Sequence, residues 1–526
     1  MADNDNITSK KKNNAAKGIR WWPLLTVIGL AVIALFAIWI PNAPFRQNQV
    51  IATGIVIVLA LLLSILWLMF LSRLRWKTRL LGLGIIAVVG LALYFSVEIK
   101  AVSGDLVPIV AWKWSSGVGD LAIGNSKIAS GVDGINFQPT DYPQFLGPGR
   151  NAILQDIGLL PEWDKRPPQE VWRQPIGEGL SGFAIVGNAA ITQEQRGEQE
   201  MVVCYDLKTG KVLWSHGYKA LYASPMAGNG PRATPTVGMG RVYTVGSTGI
   251  MACLDFKTGK HQWSRNIIEE NGAEHIEFGY SGSPLLLDTL AIVAAGGPDG
   301  KSLVAYHWET GDMVWSGGSD PTGHSSPQLS MLFGEPQILI LNTHFLVAHD
   351  PTNGNVLWRQ EWKINSQFVA QPLVVPGEKV FVSLGYGAGC KLFQISKNED
   401  GSFRSSELWK SPRMKAKFTN VVYRNDHIFG LDDGVLACIS VANGKRKWKK
   451  GRYGHGQLIM VDDHFVIQAE NGDLALVEVN SEKYNEIARI PALASRTWNN
   501  PTISSPYLLV RNDREAICYE LPLESE

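Results

Sequence analysis

The chain has 526 residues, of which 45% are hydrophobic and 18% charged, and its formal net charge is +1. This length allows several domains of roughly 100–200 residues, and the near-zero charge excludes the strongly basic surface typical of nucleic-acid-binding proteins. We therefore expect no nucleic-acid partner. The five cysteines form no CxxC pair and the ten histidines no HExxH motif, so we also expect no metal site.

Three apolar runs, over 21–40, 50–71 and 80–96, lie in the first hundred residues. Each is close to the twenty or so residues that an α-helix needs to cross a bilayer, and tryptophans flank them as in an aromatic belt. The sequence predicts a three-helix transmembrane anchor over 21–96. A cleaved signal peptide is the alternative for the first run, but no small-residue cleavage site follows it.

The distribution of basic residues predicts the orientation of this anchor, because cytoplasmic loops carry an excess of lysine and arginine. We expect a cytoplasmic basic N-terminus over 1–20, an inner-membrane location, and an extracytoplasmic, periplasmic position for everything after Glu98. Residues 97–140 are rich in Gly, Ser and Ala without sustained periodicity, which predicts a linker. The basic residues that decide the orientation are Lys10, Lys11, Lys12, Lys17 and Arg20 before the first run, Arg46 in the first loop, and Arg73, Arg75, Lys77 and Arg79 in the second.

A repeated pattern organises residues 141–526. It reads CYDLKTGKVLW at 204–214 and CLDFKTGKHQW at 253–263, and it recurs, with increasing divergence, up to CISVANGKRKW at 438–448. Its spacing of about 45 residues is that of a four-stranded propeller blade and gives eight units. Within a unit, short apolar stretches alternate with glycine-containing turns, which predicts four antiparallel strands. The last unit should combine the strand around Trp172 with strands from the C-terminus.

The Asp, Thr and Gly of the pattern are typical of a tight turn, and the tryptophan that follows should pack between neighbouring blades. These predicted blade-docking residues are Trp172, Trp214, Trp263, Trp315, Trp358, Trp409 and Trp448.

The pattern resembles the tryptophan-docking motif of the pyrroloquinoline-quinone (PQQ) repeat family, and DYPQFLGPGR at 141–150 resembles the opening segment of PQQ-like propellers. The resemblance covers roughly 140–526 and implies an all-β, PQQ-like eight-bladed β-propeller over 141–526, preceded by the three transmembrane helices. This family includes quinoprotein dehydrogenases and BamB, the periplasmic propeller of the outer-membrane β-barrel assembly machinery.

Two functions follow from this resemblance. A BamB-like protein would be a binding or assembly scaffold, without a cofactor, for an envelope protein partner or a small ligand. The alternative is a PQQ-dependent membrane-bound dehydrogenase that oxidises alcohols or sugars and reduces ubiquinone, with PQQ held beside Ca²⁺. The chain departs from BamB-like lipoproteins because its first cysteine is Cys204. Its short repeats also leave little room for the long insertions that build a quinoprotein pocket, and we favour the scaffold.

One set of residues is a candidate binding site. Aligning the first strand of each unit gives one equivalent position, with Tyr280 and Lys417 just before it in their units; this position is occupied by Leu180, Arg232, Ser281, His324, Val369, Phe418, His455 and Trp498. In a propeller this strand lines the central channel, which predicts a channel-mouth site. Arg232, His324, Lys417 and His455 would make it cationic, suited to an acidic small ligand, a quinone carboxylate or an acidic loop of a partner. Rim residues can also be polar without any function, and no catalytic residue is identified. The candidate binding residues are Arg232, Tyr280, His324, Lys417, His455 and Trp498.

Overall fold

The structure is a computed structural model that describes residues 18–40, 46–114, 132 and 137–524. It divides into two compact units, one of residues 1–100 with 105–115 and the other of residues 101–104 with 116–526. Most of the predicted basic N-terminus, and linker residues 115–131 and 133–136, lie outside the described residues.

Three apolar helices make up most of the first unit: α1 (Trp22–Ile38), α2 (Arg46–Leu66), which continues through a π-helical turn at Trp67–Leu71, and α3 (Trp76–Ser96). The stretches Arg46–Leu71 and Trp76–Ser96 contain 26 and 21 residues and are long and apolar enough to cross a membrane. Helix α1 has 17 residues. At about 1.5 Å per residue it falls short of a hydrocarbon core of roughly 30 Å. The described helices thus provide two candidate spans rather than the three predicted.

The predicted linker is partly folded. Strands β1 (Val97–Val102) and β2 (Pro108–Trp112) form a two-stranded sheet. In this part of the predicted linker the segment PIVAW alternates exposed and half-buried residues as a short strand does, a pattern that the composition of the region does not indicate.

The second unit is built from eight sheets formed by the described residues: seven have four antiparallel strands, as the sequence predicts, and in one a fifth, parallel strand joins the four antiparallel ones. Strands β3 (Ile153–Leu154) and β4 (Gln169–Pro175) precede them in the chain. The first four sheets are sheet 1, with β5 (Ala184–Val186), β6 (Ala189–Arg196), β7 (Gln199–Asp206) and β8 (Val212–Lys219); sheet 2, with β9 (Thr236–Gly238), β10 (Arg241–Val245), β11 (Ile250–Asp255) and β12 (His261–Asn266); sheet 3, with β13 (Leu285–Leu287), β14 (Leu290–Gly297), β15 (Lys301–His307) and β16 (Met313–Gly317); and sheet 4, with β17 (Gln328–Leu332), β18 (Glu335–Asn342), β19 (Phe345–His349) and β20 (Val356–Glu361).

The remaining sheets continue this order along the chain. They are sheet 5, with β21 (Leu373–Val375), β22 (Lys379–Leu384), β23 (Gly389–Lys397) and β24 (Phe403–Ser411); sheet 6, with β25 (Val422–Arg424), β26 (His427–Asp432), β27 (Val435–Ser440) and β28 (Arg446–Arg452); sheet 7, with β29 (Gln457–Val461), β30 (His464–Gln468), β31 (Asp473–Glu478) and β32 (Glu486–Pro491); and sheet 8, with β33 (Thr502–Ser504), β34 (Tyr507–Arg511), β35 (Glu515–Glu520) and β4.

Sheet 8 joins the two ends of the repeat region. Strand β4 pairs antiparallel with β35, and Trp172 lies opposite Cys518 in this pairing. The prediction that the last unit combines strands from both chain ends is therefore confirmed. Such closure leaves few strand edges exposed.

The repeated motif forms the turn between the third and fourth strands of a sheet. In sheet 1, Asp206 Oδ1 accepts hydrogen bonds from Thr209 N at 2.8 Å and Thr209 Oγ1 at 2.7 Å, and Gly210 has φ +68°. The indole of Trp172, from sheet 8, packs directly on this glycine. A Cβ added to Gly210 would lie only 2.8 Å from Trp172 Cδ2. The same arrangement places Trp214 on Gly259, Trp263 on Gly311, Trp315 on Gly354 and Trp409 on Gly444.

Hydrogen bonds reinforce this packing between sheets. Most of the indole N–H groups donate to a backbone carbonyl of the next sheet, and Trp358 instead donates to Gln337 Oε1 of its own sheet at 2.8 Å. The motif therefore links one sheet to the next. The bonds to the next sheet are Trp172 to Leu207 O, Trp214 to Phe256 O, Trp263 to Trp308 O, Trp409 to Val441 O and Trp448 to Asn480 O.

Candidate functional site

Polar side chains beside the innermost strands connect the sheets in a ring. Thr234 Oγ1 of sheet 2 accepts from Gly182 N of sheet 1 at 3.2 Å, and equivalent bonds continue to sheet 6. Gln457 Nε2 of sheet 7 donates to carbonyls in the segments before β25 and β33. Asn499 Nδ2 then donates to Gly179 O at 3.1 Å, which returns to sheet 1. These hydrogen bonds therefore link the segments beside the first strands of all eight sheets in one closed series.

The segment 141–154 contacts the first strands of several sheets, or the residues just before them. Val237 N donates to Pro143 O at 2.8 Å, and β3 pairs in parallel with β29. The Arg150 guanidinium donates to the carbonyls of Pro284 and Pro327, both at 3.0 Å. Burial lowers the pKa of Arg150 to about 9, so the group remains mostly protonated at neutral pH. The segment that resembles a PQQ-like opening sequence thus packs against the first strands of several sheets.

The predicted ring residues lie before the first strands of the sheets, and we call the region around Arg232, Lys417, His455 and Trp498 the mouth. Lys417, His455 and Trp498 come together around Phe418. The Phe418 ring centroid is 4.8 Å from that of Trp498 and 5.6 Å from that of His455. Lys417 Nζ lies 5.3 Å from the Phe418 centroid and 4.3 Å from that of Tyr386. This part of the mouth combines a cation with aromatic surfaces.

Arg232 lies on another side of the mouth. Its guanidinium is 4.5 Å from the Tyr222 ring centroid and donates to Ser247 Oγ at 3.2 Å and Gly228 O at 2.9 Å. Burial lowers the pKa of Arg232 to about 10, so it stays positively charged at neutral pH.

His324 does not carry the charge that the sequence suggested. Its Nδ1 lies 3.0 Å from Ser281 Oγ. Burial, and next the positive charge of Arg232, lower the pKa of His324 to about 4. The imidazole is therefore neutral at pH 7, and the prediction that it contributes to a cationic mouth is wrong.

Tyr280 belongs to the hydrophobic core rather than to the group around Phe418. The residue is 3% exposed and packs among apolar side chains of sheets 2 and 3. Its hydroxyl donates to Ala295 O at 2.5 Å. We therefore place Tyr280 in the packing between sheets.

Two charged residues of the mouth were missed in the sequence. The Arg496 guanidinium lies 4.1 Å from the Trp498 ring centroid. Glu470 accepts from Trp498 Nε1 at 2.8 Å and from His455 N at 3.1 Å. Arg496 lies two residues before the aligned position and Glu470 lies between β30 and β31, so alignment of the first strands could not find them.

Residues 101–104, which belong to the same unit, lie in the mouth. Gly104 N donates to Glu470 Oε1 at 2.5 Å, and Lys417 Nζ donates to Gly104 O. Arg496 Nη1 donates to Val102 O at 2.9 Å. The mouth thus holds a stretch of main chain through two cations and one carboxylate.

The mouth residues do not fit a calcium-dependent quinone. Calcium takes six to eight oxygen ligands, several of them carboxylates. Glu470 is the carboxylate found among the mouth contacts described above, and its oxygens already accept three N–H groups. Lys417 and Arg496 bind the same segment as Glu470, and their positive charges disfavour a divalent cation. We therefore derive no chemistry from PQQ.

Comparison with known proteins identifies the family. The family model described as outer membrane protein assembly factor BamB matches residues 156–274 and 198–450, which together span more than half of the chain. The chain belongs to this family of PQQ-like β-propellers. A search of curated proteins gives no match.

Solved structures resemble the chain in fold. Quinohemoprotein alcohol dehydrogenase ADHIIG from Pseudomonas putida HK5 aligns with a TM-score of 0.53 and 12% identity, over 76% of this chain and 84% of that one. The computationally designed Ika8 protein aligns with a TM-score of 0.50 and 13% identity, over 67% and 100%. BamB from Moraxella catarrhalis aligns with a TM-score of 0.49 and 14% identity, over 68% of this chain and 99% of that one. At these identities the first two alignments support the fold and say nothing of activity.

Proposed function

We propose that this chain is a membrane-anchored, extracytoplasmic scaffold whose mouth binds a segment of an envelope protein partner. The observation that carries the proposal is the set of bonds from Lys417, Glu470 and Arg496 to main-chain groups, which is a way of holding a polypeptide. The description of the family as an assembly factor supports the same role.

The proposal includes a specific architecture. The eight sheets are the blades of one closed propeller over 141–526, supported by the ring of bonds that returns from Asn499 to Gly179. Residues 21–96 form a three-span inner-membrane anchor with the N-terminus in the cytoplasm. In this arrangement α1 also crosses the membrane, in addition to α2 and α3. Flanking tryptophans or local thinning of the bilayer compensate for its short length.

Reporter fusions test the orientation and the role of α1. A reporter that is active only in the periplasm should be active when fused after Arg46 or Glu526 and inactive after Trp76, because three spans alternate the sides. Activity is measured in intact cells, with fusion levels checked by immunoblot. If α1 does not cross, all three results reverse: the fusions after Arg46 and Glu526 become inactive and the fusion after Trp76 becomes active.

Site-specific photo-cross-linking tests the scaffold function. Leu221 is 58% exposed and precedes Tyr222 of the mouth, whereas Met313 is 44% exposed on a fourth strand. A photoreactive residue at 221 should give an adduct of discrete mass in living cells, and one at 313 should not. Changing Lys417 to glutamine should remove the adduct, because it deletes a cation that holds main chain.

The matched control for that change is Lys397→Gln, which alters an exposed ion pair with Glu335 away from the mouth and should leave the adduct intact. Equal adducts at 221 and 313 would contradict a specific partner. Dye-linked oxidation of alcohols or sugars after addition of PQQ and Ca²⁺ would contradict the scaffold function and favour the alternative, a PQQ-dependent dehydrogenase. The alignment with ADHIIG is compatible with the fold of such an enzyme.

A further inference from the structure

We infer that the mouth is a binding site for an extended peptide that presents a glycine, and that residues 101–104 occupy it as a ligand built into the chain. The inference rests on the proposed binding role of the mouth and names the chemistry of the partner. Displacement of the built-in segment is then a step in capturing that partner.

The hydrogen bonds from the mouth to residues 101–104 involve main-chain groups of this segment rather than its side chains. Glu470 accepts the Gly104 N–H, Lys417 donates to the carbonyl of the same residue, and Arg496 donates to the carbonyl of Val102. Each bond involves a charged group, and such bonds are roughly twice as strong as neutral ones. Main-chain bonds provide affinity that does not depend on sequence, as in other modes of peptide recognition.

The mouth selects glycine at the fourth position of the segment, Gly104, because there is no space for a side chain. A Cβ on Gly104 would lie 2.7 Å from His455 Cγ and closer still to Cδ2. The φ of Gly104 is outside the left-handed region, so space rather than backbone conformation demands glycine. The imidazole cannot easily retreat, because His455 is 2% exposed and packs on Phe418. A larger residue at this position would be excluded.

The charges favour a peptide over an acidic small ligand. Lys417 is 2% exposed and Arg496 6% exposed, and buried cations need acceptors such as carbonyl oxygens. An anion could satisfy them, but the Glu470 carboxylate lies in the same mouth and would repel it. Glu470 requires a donor, and a peptide N–H supplies one beside the carbonyl. A peptide group matches both charges at once.

The built-in segment sets the affinity for any incoming peptide. A tethered ligand has an effective concentration of the order of millimolar, so a free peptide competes poorly while the segment is in place. Removing the segment from the mouth should reveal the full affinity. This gives a direct test in the intact chain.

The experiment measures binding of a dye-labelled, end-capped peptide of sequence AVSG to the full chain in detergent, by fluorescence anisotropy. Gly104→Val, which expels the segment by steric conflict with His455, should bind the peptide at least tenfold more tightly than the native chain. The same peptide with valine in place of glycine should bind at least tenfold more weakly. Adding Lys417→Met to Gly104→Val should abolish binding, whereas adding Lys397→Met should not change it.

A second measurement does not depend on Gly104→Val being stable. The five native cysteines are buried, so a single thiol introduced as Ser103→Cys can be followed by maleimide labelling. Excess AVSG peptide should raise its labelling rate several-fold by displacing the segment, and the valine peptide should not. An unchanged rate, or equal binding of both peptides, overturns the inference, as does displacement by a tetraglutamate peptide. If the AVSG peptide fails while the adduct at Leu221 persists, the scaffold stands and only the glycine-peptide inference falls.

Discussion

Replacing Trp214 with alanine is expected to lower the free energy of unfolding by about 3–5 kcal/mol, the range for deleting a large buried aromatic side chain. The indole is 2% exposed, packs on Gly259 of the next sheet and donates to Phe256 O at 2.9 Å. Its removal opens a cavity between two sheets and leaves a carbonyl without its donor. Chemical denaturation of the full chain, followed by near-ultraviolet circular dichroism, measures the change.

A matched pair separates the packing from the hydrogen bond. Trp315 packs on Gly354 in the same way, but its buried indole N–H lacks a hydrogen-bond partner within the described part of the chain. Trp214→Phe should therefore be about 1–3 kcal/mol more destabilising than Trp315→Phe, because only the first change leaves a carbonyl, Phe256 O, without its hydrogen-bond donor. Equal effects would mean that the indole bonds contribute nothing to docking.

Much of this fold follows from a motif that acts locally. The turn at Asp206, Thr209 and Gly210 is stabilised by bonds within a few residues, so each copy predicts its own strand pair wherever it occurs. The tryptophan then docks on the next copy at a fixed distance along the chain. The regular spacing of the copies accordingly indicates repeated four-stranded sheets without knowledge of tertiary contacts.

The composition of the mouth was predictable only in part. Lys417, His455 and Trp498 came from the alignment because equivalent strands place equivalent residues at one end of a channel. Glu470 and Arg496 lie outside that alignment. The protonation of His324 depends on burial, which the sequence does not reveal.

The segment 101–104 illustrates a second limit. Its contact with Lys417 joins residues more than three hundred positions apart, and Gly104 lies outside the repeat region. A composition rich in small residues predicts a linker. One of these small residues, Gly104, fits a narrow mouth because it has no side chain. Such a role becomes visible only when the folded unit brings the two regions together.

Arg511→Met is expected to lower the free energy of unfolding by about 3–5 kcal/mol, since it removes several buried hydrogen bonds that a charged donor makes to neutral acceptors. Arg511 is fully buried on β34, and its guanidinium donates to Thr192 Oγ1 at 2.7 Å, Gln193 O at 3.0 Å and Gly177 O at 3.0 Å. These bonds join sheet 8 to sheet 1, where the two ends of the repeat region meet. Methionine has similar length but removes the Arg511 donor from the buried carbonyls of Gln193 and Gly177, whereas the Thr192 hydroxyl still donates to Gly182 O at 3.0 Å.

Arg424→Met provides the control, because Arg424 forms a more exposed ion pair with Asp463 at 2.9 Å, and pairs of that kind contribute about 1 kcal/mol or less. Arg511→Lys should recover only a minor part of the loss, since an ammonium group cannot reproduce the planar fork of donors. Both changes are measured by the same denaturation experiment. If Arg511→Met is no more destabilising than Arg424→Met, the Arg511 bonds do not help to join sheets 8 and 1, and the Asn499 bond and the packing of the docking tryptophans must do so instead.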